Sequence, residues 1–372
     1  MGTLRLFLAL SVVVWHLPGA QTRLVNGGMA VFLFYIVSGF YMALVLNERY
    51  DRARDFYIAR ALRIYPPYYA ACALVLLWYW YWPTLTPFTS AMGQKPLAHA
   101  ALLALNFLLF GQDLFQGIIN LLSVTQRPDW QAPALAIAAH FPKDFFTDPP
   151  FMLIGQAWTL ATELLFYLVA PFIVRSPLRI ALCFAGSVAI RTALIAGLGL
   201  PSFVWGYQFF PATLCIFLLG SAAYHLYRRI REWRFAPLVA HGATIAGGVA
   251  GLAAMVQQGE IFVIGLRGYD APLLWAFYFA FAAWLAFLFA RWKSNRIDRA
   301  LGELSYPLYL VHGITNGIFV NILHVPSLAI PGGLAVAAVL YLTVDRPIDR
   351  WRHARIAHAS HRTIETRSAR LA

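Results

Sequence analysis

The chain is short of charge. Of its 372 residues only 12% are charged, against 60% hydrophobic, and its mean hydropathy is +0.63. A soluble domain of that composition has too few polar side chains to cover its surface, which leaves an integral membrane protein. Acidic residues are scarcest, 16 against 29 Lys and Arg, for a formal net charge of +13. The basic excess sits in short loops and in the C-terminal tail, the positive-inside pattern of a membrane protein. With no basic stripe on a soluble domain, it argues against a nucleic-acid partner. Cysteine is nearly missing: Cys72, Cys183 and Cys215 lie singly in apolar runs, without metal-ligand spacing, and read as buried thiols. Also missing are the short alternating runs of a barrel, an internal repeat and any stretch that would fold in water. The expected fold class is all-α, a polytopic membrane helix bundle.

Apolar runs predict ten transmembrane helices, at 4–17, 28–46, 61–82, 152–174, 177–198, 207–227, 236–256, 271–291, 303–324 and 329–344. Basic linkers at 49–63, 175–179, 228–234 and 291–299, with the tail after 345, fall on one side if both termini are cytoplasmic. Residues 1–345 then form the membrane domain and 346–372 a basic cytoplasmic tail. Parity constrains the apolar run 97–124, since a single crossing there would invert every later loop. That run is broken by Asn106, Gly111, Gln112, Asp113 and Gly117. It reads as a re-entrant or interfacial hairpin, with two short crossings as the alternative. The Pro- and Asp-rich stretch 126–150 then lies outside. Residues 1–20 carry a rival reading as a secretory signal peptide cleaved after Ala20, which would remove His16.

Polar residues inside the apolar runs fall at similar depth. Arg5 and His16 are eleven positions apart, on about one helix face and about 16 Å along its axis. Ser38 lies about 15 Å into the second span from outside, Glu163 about 12 Å below the outer face, and Tyr309 and His312 about 9–14 Å above the inner face. An ionisable group at membrane depth is expensive and marks function by default. Each residue also has a structural reading. His16 would bond a neighbouring carbonyl, and Glu163 would serve only as a buried, partnered carboxylate. Arg191 would pair with Glu163 or snorkel outward. Tyr306, Tyr309 and His312 would form a packing face, and Ser38 and Gly39 a close helix contact. Arg60 and Arg63, spaced i, i+3 before Ile64-Tyr65-Pro66-Pro67-Tyr68-Tyr69, either anchor the inner face or grip a phosphate.

Five segments together resemble the family-3 membrane acyltransferases, the family that includes bacterial O-acetyltransferases of surface polysaccharides. In order they are Arg5 with His16, FLFYIVSGF, FYIARALRIYPPYY, AWTLATELLFYLVAP and LGELSYPLYLVHG. The resemblance implies ten spans and a retained His16. It also implies acyl transfer from cytoplasmic acyl-CoA, usually acetyl-CoA, to a hydroxyl of a carbohydrate or lipid-linked sugar acceptor in the bacterial inner membrane. By position, His16 and Arg5 carry over as the essential pair, Arg60 and Arg63 as the arginine motif, and Glu163 as the glutamate after Trp158. The family's Trp-Ser-Leu is here Trp158-Thr159-Leu160, which keeps a hydroxyl, and no hydrolase-type domain follows the last span.

On this reading His16 is the general base and Glu163 orients it, holds the acceptor or stabilises the imidazolium. Arg60 and Arg63 hold CoA phosphates, and Tyr309, His312 or Ser38 donates to the developing oxyanion. No metal is expected. A lipid-linked-sugar flippase is the alternative, with polar midplane groups but no need of the five segments. Acceptor identity and oligomeric state are not legible in the sequence.

Overall fold

The computed structural model describes residues 1–17, 25–81, 103–122, 152–232, 272–292 and 295–351, with single positions at 132, 135, 239, 241 and 242. Apart from those positions, the expected span 236–256, the loop 126–150 and the tail beyond 351 lie outside the described residues.

Every regular element among the described residues is helical. In chain order these include α1 (Gly2–Trp15), α2 (Gly27–Glu48), α3 (Ala53–Tyr81), α4 (Gln112–Leu122), α5 (Trp158–Ile173) and α6 (Pro177–Thr192). There follow α7 (Ser202–Trp205), α8 (Phe210–Ile230), α9 (Pro272–Trp292), α10 (Arg296–Glu303), α11 (Ser305–Asn316) and α12 (Ala329–Leu340). Six helical stretches are long and apolar enough to cross a membrane: Gly27–Glu48, Gly155–Ile173, Pro177–Gly197, Phe210–Ile230, Leu274–Arg291 and Pro326–Trp351. The chain is therefore a membrane protein. α1 is shorter, and the charged first half of α3 lowers its hydropathy, so neither stands with those six.

α2 is the centre. It is apolar on all faces and mostly buried, as a helix surrounded by others must be. Its closest neighbour is α8, and two glycines set the approach: a methyl at Gly39 would overlap the Phe217 carbonyl, and one at Gly220 the Ile36 carbonyl. Ser221 Oγ crosses the seam to donate to the Gly39 oxygen at 3.1 Å. Without water to drive helices together, small residues that let backbones touch supply the packing. At the periphery α6 does the opposite, exposing Leu178, Leu182 and Ile190 to the surroundings.

The described parts of the five basic segments meet at one end of the bundle. Arg175 donates to the carbonyls of Leu46, Tyr50 and Asp51 at 2.7–3.2 Å, and Arg231 pairs with Glu48 at 3.2 Å. Arg63 pairs with Glu303 at 2.9 Å and with Asp349 at 3.2 Å. Asp349 belongs to the expected tail. The last helix runs through a π turn, Tyr341–Asp345, and on to Trp351, so the membrane helix overshoots the boundary drawn at 345.

A helix break organises the other half. Tyr65, Tyr68 and Tyr69 of α3 donate to three consecutive carbonyls, those of Leu108, Asn106 and Phe107, at 2.7–2.9 Å. Residues 103–108 are helical, and the chain then turns through Leu109 at φ 67° and Gly111 at φ 88° before α4 begins. A left-handed leucine costs about 1–2 kcal/mol; the tyrosine bonds satisfy the helix-end carbonyls beside it. This break lies within the run expected to form a hairpin.

Asp298 on α10 caps α1. Its carboxylate accepts from the N–H groups of Gly2 and Thr3 at 2.8 and 2.9 Å, from Thr3 Oγ1 at 2.9 Å and from the Met1 ammonium at 2.7 Å. Burial pushes this carboxyl up, but the ammonium and the Thr3 and Gly2 bonds outweigh it and hold the pKa near about 2. The folded pKa is depressed, so the stabilisation is complete above the unfolded value of ~4 and lost as pH falls through the folded one. Asp298→Ala is expected to cost about 0.5–2 kcal/mol at neutral pH. In thermal unfolding, its deficit against the wild type should shrink on acidification below about pH 4.

Candidate functional site

A cavity of about 510 Å³ runs from the basic end into the bundle, walled by α2, α3, α5, α10 and α11. Helical periodicity selects the lining. On α2 it is Val31, Phe34, Tyr35, Val37, Ser38, Tyr41, Met42 and Val45. On α5 it is Thr159, Glu163 and Tyr167, each one helical turn past the last, together with Leu160. Ser38 and Gly39 have therefore divided the two roles open to them. Gly39 faces α8 at the close contact, and Ser38, about 100° round the helix, faces the cavity.

Ser38 Oγ donates to Glu163 Oε1 at 2.5 Å, and Tyr167 OH donates to the same oxygen at 2.7 Å. Further in, the Thr159 and Tyr309 hydroxyls are 2.7 Å apart, and both also reach the Gln156 carbonyl. The expected hydroxyl of the Trp-Thr-Leu motif thus sits in the cavity wall. Gln156 was not foreseen. Its side-chain amide donates to the carbonyls of Tyr309 and Leu310 at 2.9 and 3.1 Å, locking the start of α5 against α11.

His16, the next-to-last residue of the expected span 4–17, caps the first helix instead of lying within it. α1 ends at Trp15 and His16 is its C-cap, because Pro18 two residues on cannot continue a helix and bars Leu17 from helical geometry. The ring is exposed rather than buried, and it lies 5.1 Å from the ring of buried His312. Both histidines bond a carbonyl through Nδ1, His16 to Val12 at 2.8 Å and His312 to Tyr309 at 2.7 Å. A carbonyl accepts only, so Nδ1 carries a proton in each ring, and the neutral form of either ring then has its lone pair on Nε2. Neither ring lines the cavity directly. They stand behind Tyr309, whose ring is 5.7 Å from His312.

Glu163 does not touch His16; Val12 holds the nitrogen that a carboxylate would have oriented. Arg191 neither pairs with Glu163 nor snorkels. It is 2% exposed, donates to the Gly206 and Ala212 carbonyls, and lies against the Phe32 and Trp275 rings. An interior lined with carbonyls offered the guanidinium acceptors at hand. Trp158, half-buried, packs edge-on to Tyr207 at 4.9 Å, and Tyr306 donates to the Ile64 carbonyl at 2.8 Å while lining the cavity.

At the basic end the two motif arginines have separated. Arg63 is committed to Glu303 and Asp349. Arg60 rests over Phe56 and Tyr167, and its Nε is buried with no hydrogen-bond partner. Arg5, Arg49 and Arg299 also line the cavity there, and among the described residues no carboxylate pairs with any of these three or with Arg60. Arg49 and Arg299 were read from sequence only as loop anchors; a basic residue next to a span gives no sign of which way it turns.

Fold and cavity together define an integral membrane protein that gathers hydroxyl, carboxylate and imidazole groups behind a cluster of arginines. An acyltransferase domain model, that of the family 3 acyltransferases, matches residues 2–344, and the chain belongs to that family. It is an acyltransferase, not the flippase held as the alternative. No curated protein and no solved structure matches it.

The unequal surroundings of the two motif arginines lead to a measurable difference. Arg63→Met should lower stability by about 1–3 kcal/mol, because it takes one ion-pair partner from each of two partly buried carboxylates. Arg60→Met, which breaks no ion pair, should cost less. Thermal unfolding of the purified proteins in one detergent checks the order.

Proposed function

We propose that the protein is a bacterial inner-membrane O-acyltransferase, with the basic end cytoplasmic. It moves an acyl group, acetyl by preference, from acyl-CoA to a hydroxyl of a carbohydrate acceptor such as a surface polysaccharide or a lipid-linked sugar. The observation that carries this reading is the cavity's polarity. Among the described residues, arginines without carboxylate partners line one end, and farther in lie the Ser38 hydroxyl on Glu163 and the paired hydroxyls of Thr159 and Tyr309.

CoA presents a diphosphate and a ribose phosphate, and Arg60 with Arg5, Arg49 and Arg299 supplies the charge to receive them. Arg63 is spent on Glu303 and Asp349, so its part is to fix α3 against α10 and the last helix. The pantetheine arm then lies along the α2 stripe and brings the thioester toward Tyr309.

The acceptor oxygen attacks the thioester carbonyl while its proton passes to Nε2 of His16. The tetrahedral intermediate collapses, the C–S bond breaks, and the thiolate recovers that proton from the imidazolium. The ester and CoA–SH leave. The imidazolium forms at the C-terminal end of α1, where the helix dipole favours a cation by about 0.3–1 kcal/mol. The Val12 carbonyl holds the ring in the tautomer needed. The Tyr309 and Thr159 hydroxyls share a proton-bearing pair, from which one O–H can turn to the oxyanion. Glu163, tied to Ser38 and Tyr167, is set to accept a hydrogen bond from the acceptor.

His16→Ala should leave membrane insertion intact and cut transfer by about a hundredfold or more. Mass spectrometry of ester groups on surface carbohydrate, with and without the gene, measures it. Wild-type ester levels in His16→Ala cells would overturn the reading.

A further inference from the structure

α4 carries a carboxylate that the cavity chemistry does not use. Asp113 is 1% exposed, and neither of its oxygens has a hydrogen-bond partner. The nearest donors are its own N–H and that of Leu114, and neither completes a sound bond. Buried carboxylates are normally paired or multiply hydrogen-bonded, so an orphaned one calls for an explanation.

Its neighbours share its lack. Asp113 and Gly117 stand one turn apart on the same face of α4. A methyl built on Gly117 would come 3.4 Å from Gln208 Oε1, which places that side chain against the face. Gln208 is 2% exposed, and its Oε1 likewise has no partner; nor has Oε1 of Gln112 beside Asp113. Every unfilled atom in this group is an acceptor. What completes it must donate hydrogen bonds.

Charge and shape narrow the donor. The Arg191 guanidinium is bonded to Gly206, two residues from Gln208, and disfavours a second cation there. Tyr207, next to Gln208, meets Trp158 edge-on at 4.9 Å, giving aromatic surface alongside. Neutral hydroxyls on a ring with apolar C–H faces fit both conditions. The position relative to the reaction also fits, since Tyr207 packs on Trp158, the residue just before the cavity-lining Thr159.

We infer that Asp113, with Gln208 and Gln112, forms a subsite for the hydroxyl groups of the sugar acceptor. The Asp113 carboxylate accepts from hydroxyls next to the one acylated, and Trp158 and Tyr207 face the ring. This rests on the acyl-transfer reading above and adds where the acceptor is held. The subsite costs stability when empty, as binding sites that bury polar atoms do.

The test compares wild type, Asp113→Asn and Asp113→Leu in two measurements. One is the ester-linked acyl content of surface carbohydrate in cells carrying each protein. The other is the Tm of each purified protein with and without CoA. Both variants are expected to lose about tenfold in ester, to keep the CoA-induced rise in Tm, and to unfold no earlier than wild type. Asp113→Leu should unfold later, because it removes an unpartnered buried charge. An ester loss under threefold overturns the subsite, and so does a loss of Tm in both variants, which would make Asp113 a structural residue. If the wild type itself makes no ester and CoA does not shift its Tm, the acyl-transfer reading fails and the subsite with it.

Discussion

A polar group inside a helix bundle at membrane depth has no water to fall back on, so its partner must come from a neighbouring helix. The bond from Ser38 to Glu163 meets that demand at the centre of this protein. It joins α2 to α5, brings Tyr167 into the same carboxylate, and holds open a wall of hydroxyls instead of letting the helices close on one another. The same rule accounts for Arg191 and its carbonyls, for Gln156 bridging to α11, and for the tyrosines of α3 on the helix break. These side chains are ties between helices that hydrophobic burial alone would leave free to slide.

Much of the fold was legible because lipid imposes length and composition on whatever crosses it. The central apolar run became α2 nearly as bounded, and the described parts of the five basic stretches gathered at one end as charge asymmetry required. The end of the last helix was misjudged, since a run of arginines reads as a tail whether or not the helix continues beneath it. The cavity was legible in part. Spacing placed Glu163 and Ser38 at a common depth, and the i, i+4 step from Glu163 to Tyr167 was available but unread. What sequence could not supply was azimuth across helices: that Arg63 turns to Glu303 and Asp349 while Arg60 does not, or that Arg191 turns away from Glu163. Such choices are set by packing between distant segments, and depth alone carries no information on them.

The histidine is the instructive case. Counting residues led to an expected membrane depth for it, whereas its local role follows from a proline two positions later. Ending α1 at Trp15 gives His16 a helix terminus for an electrostatic partner and a backbone carbonyl for a tether. A carboxylate is no longer required for either purpose, which leaves Glu163 available to the substrate side of the cavity.

The three tyrosines reaching from α3 to the carbonyls of residues 106–108 have a mechanical corollary. The helix that bears the arginine motif and the turn that leads into Asp113 are riveted to each other at three adjacent points. A ligand that tugs α3 at one end therefore drags the far turn along with it.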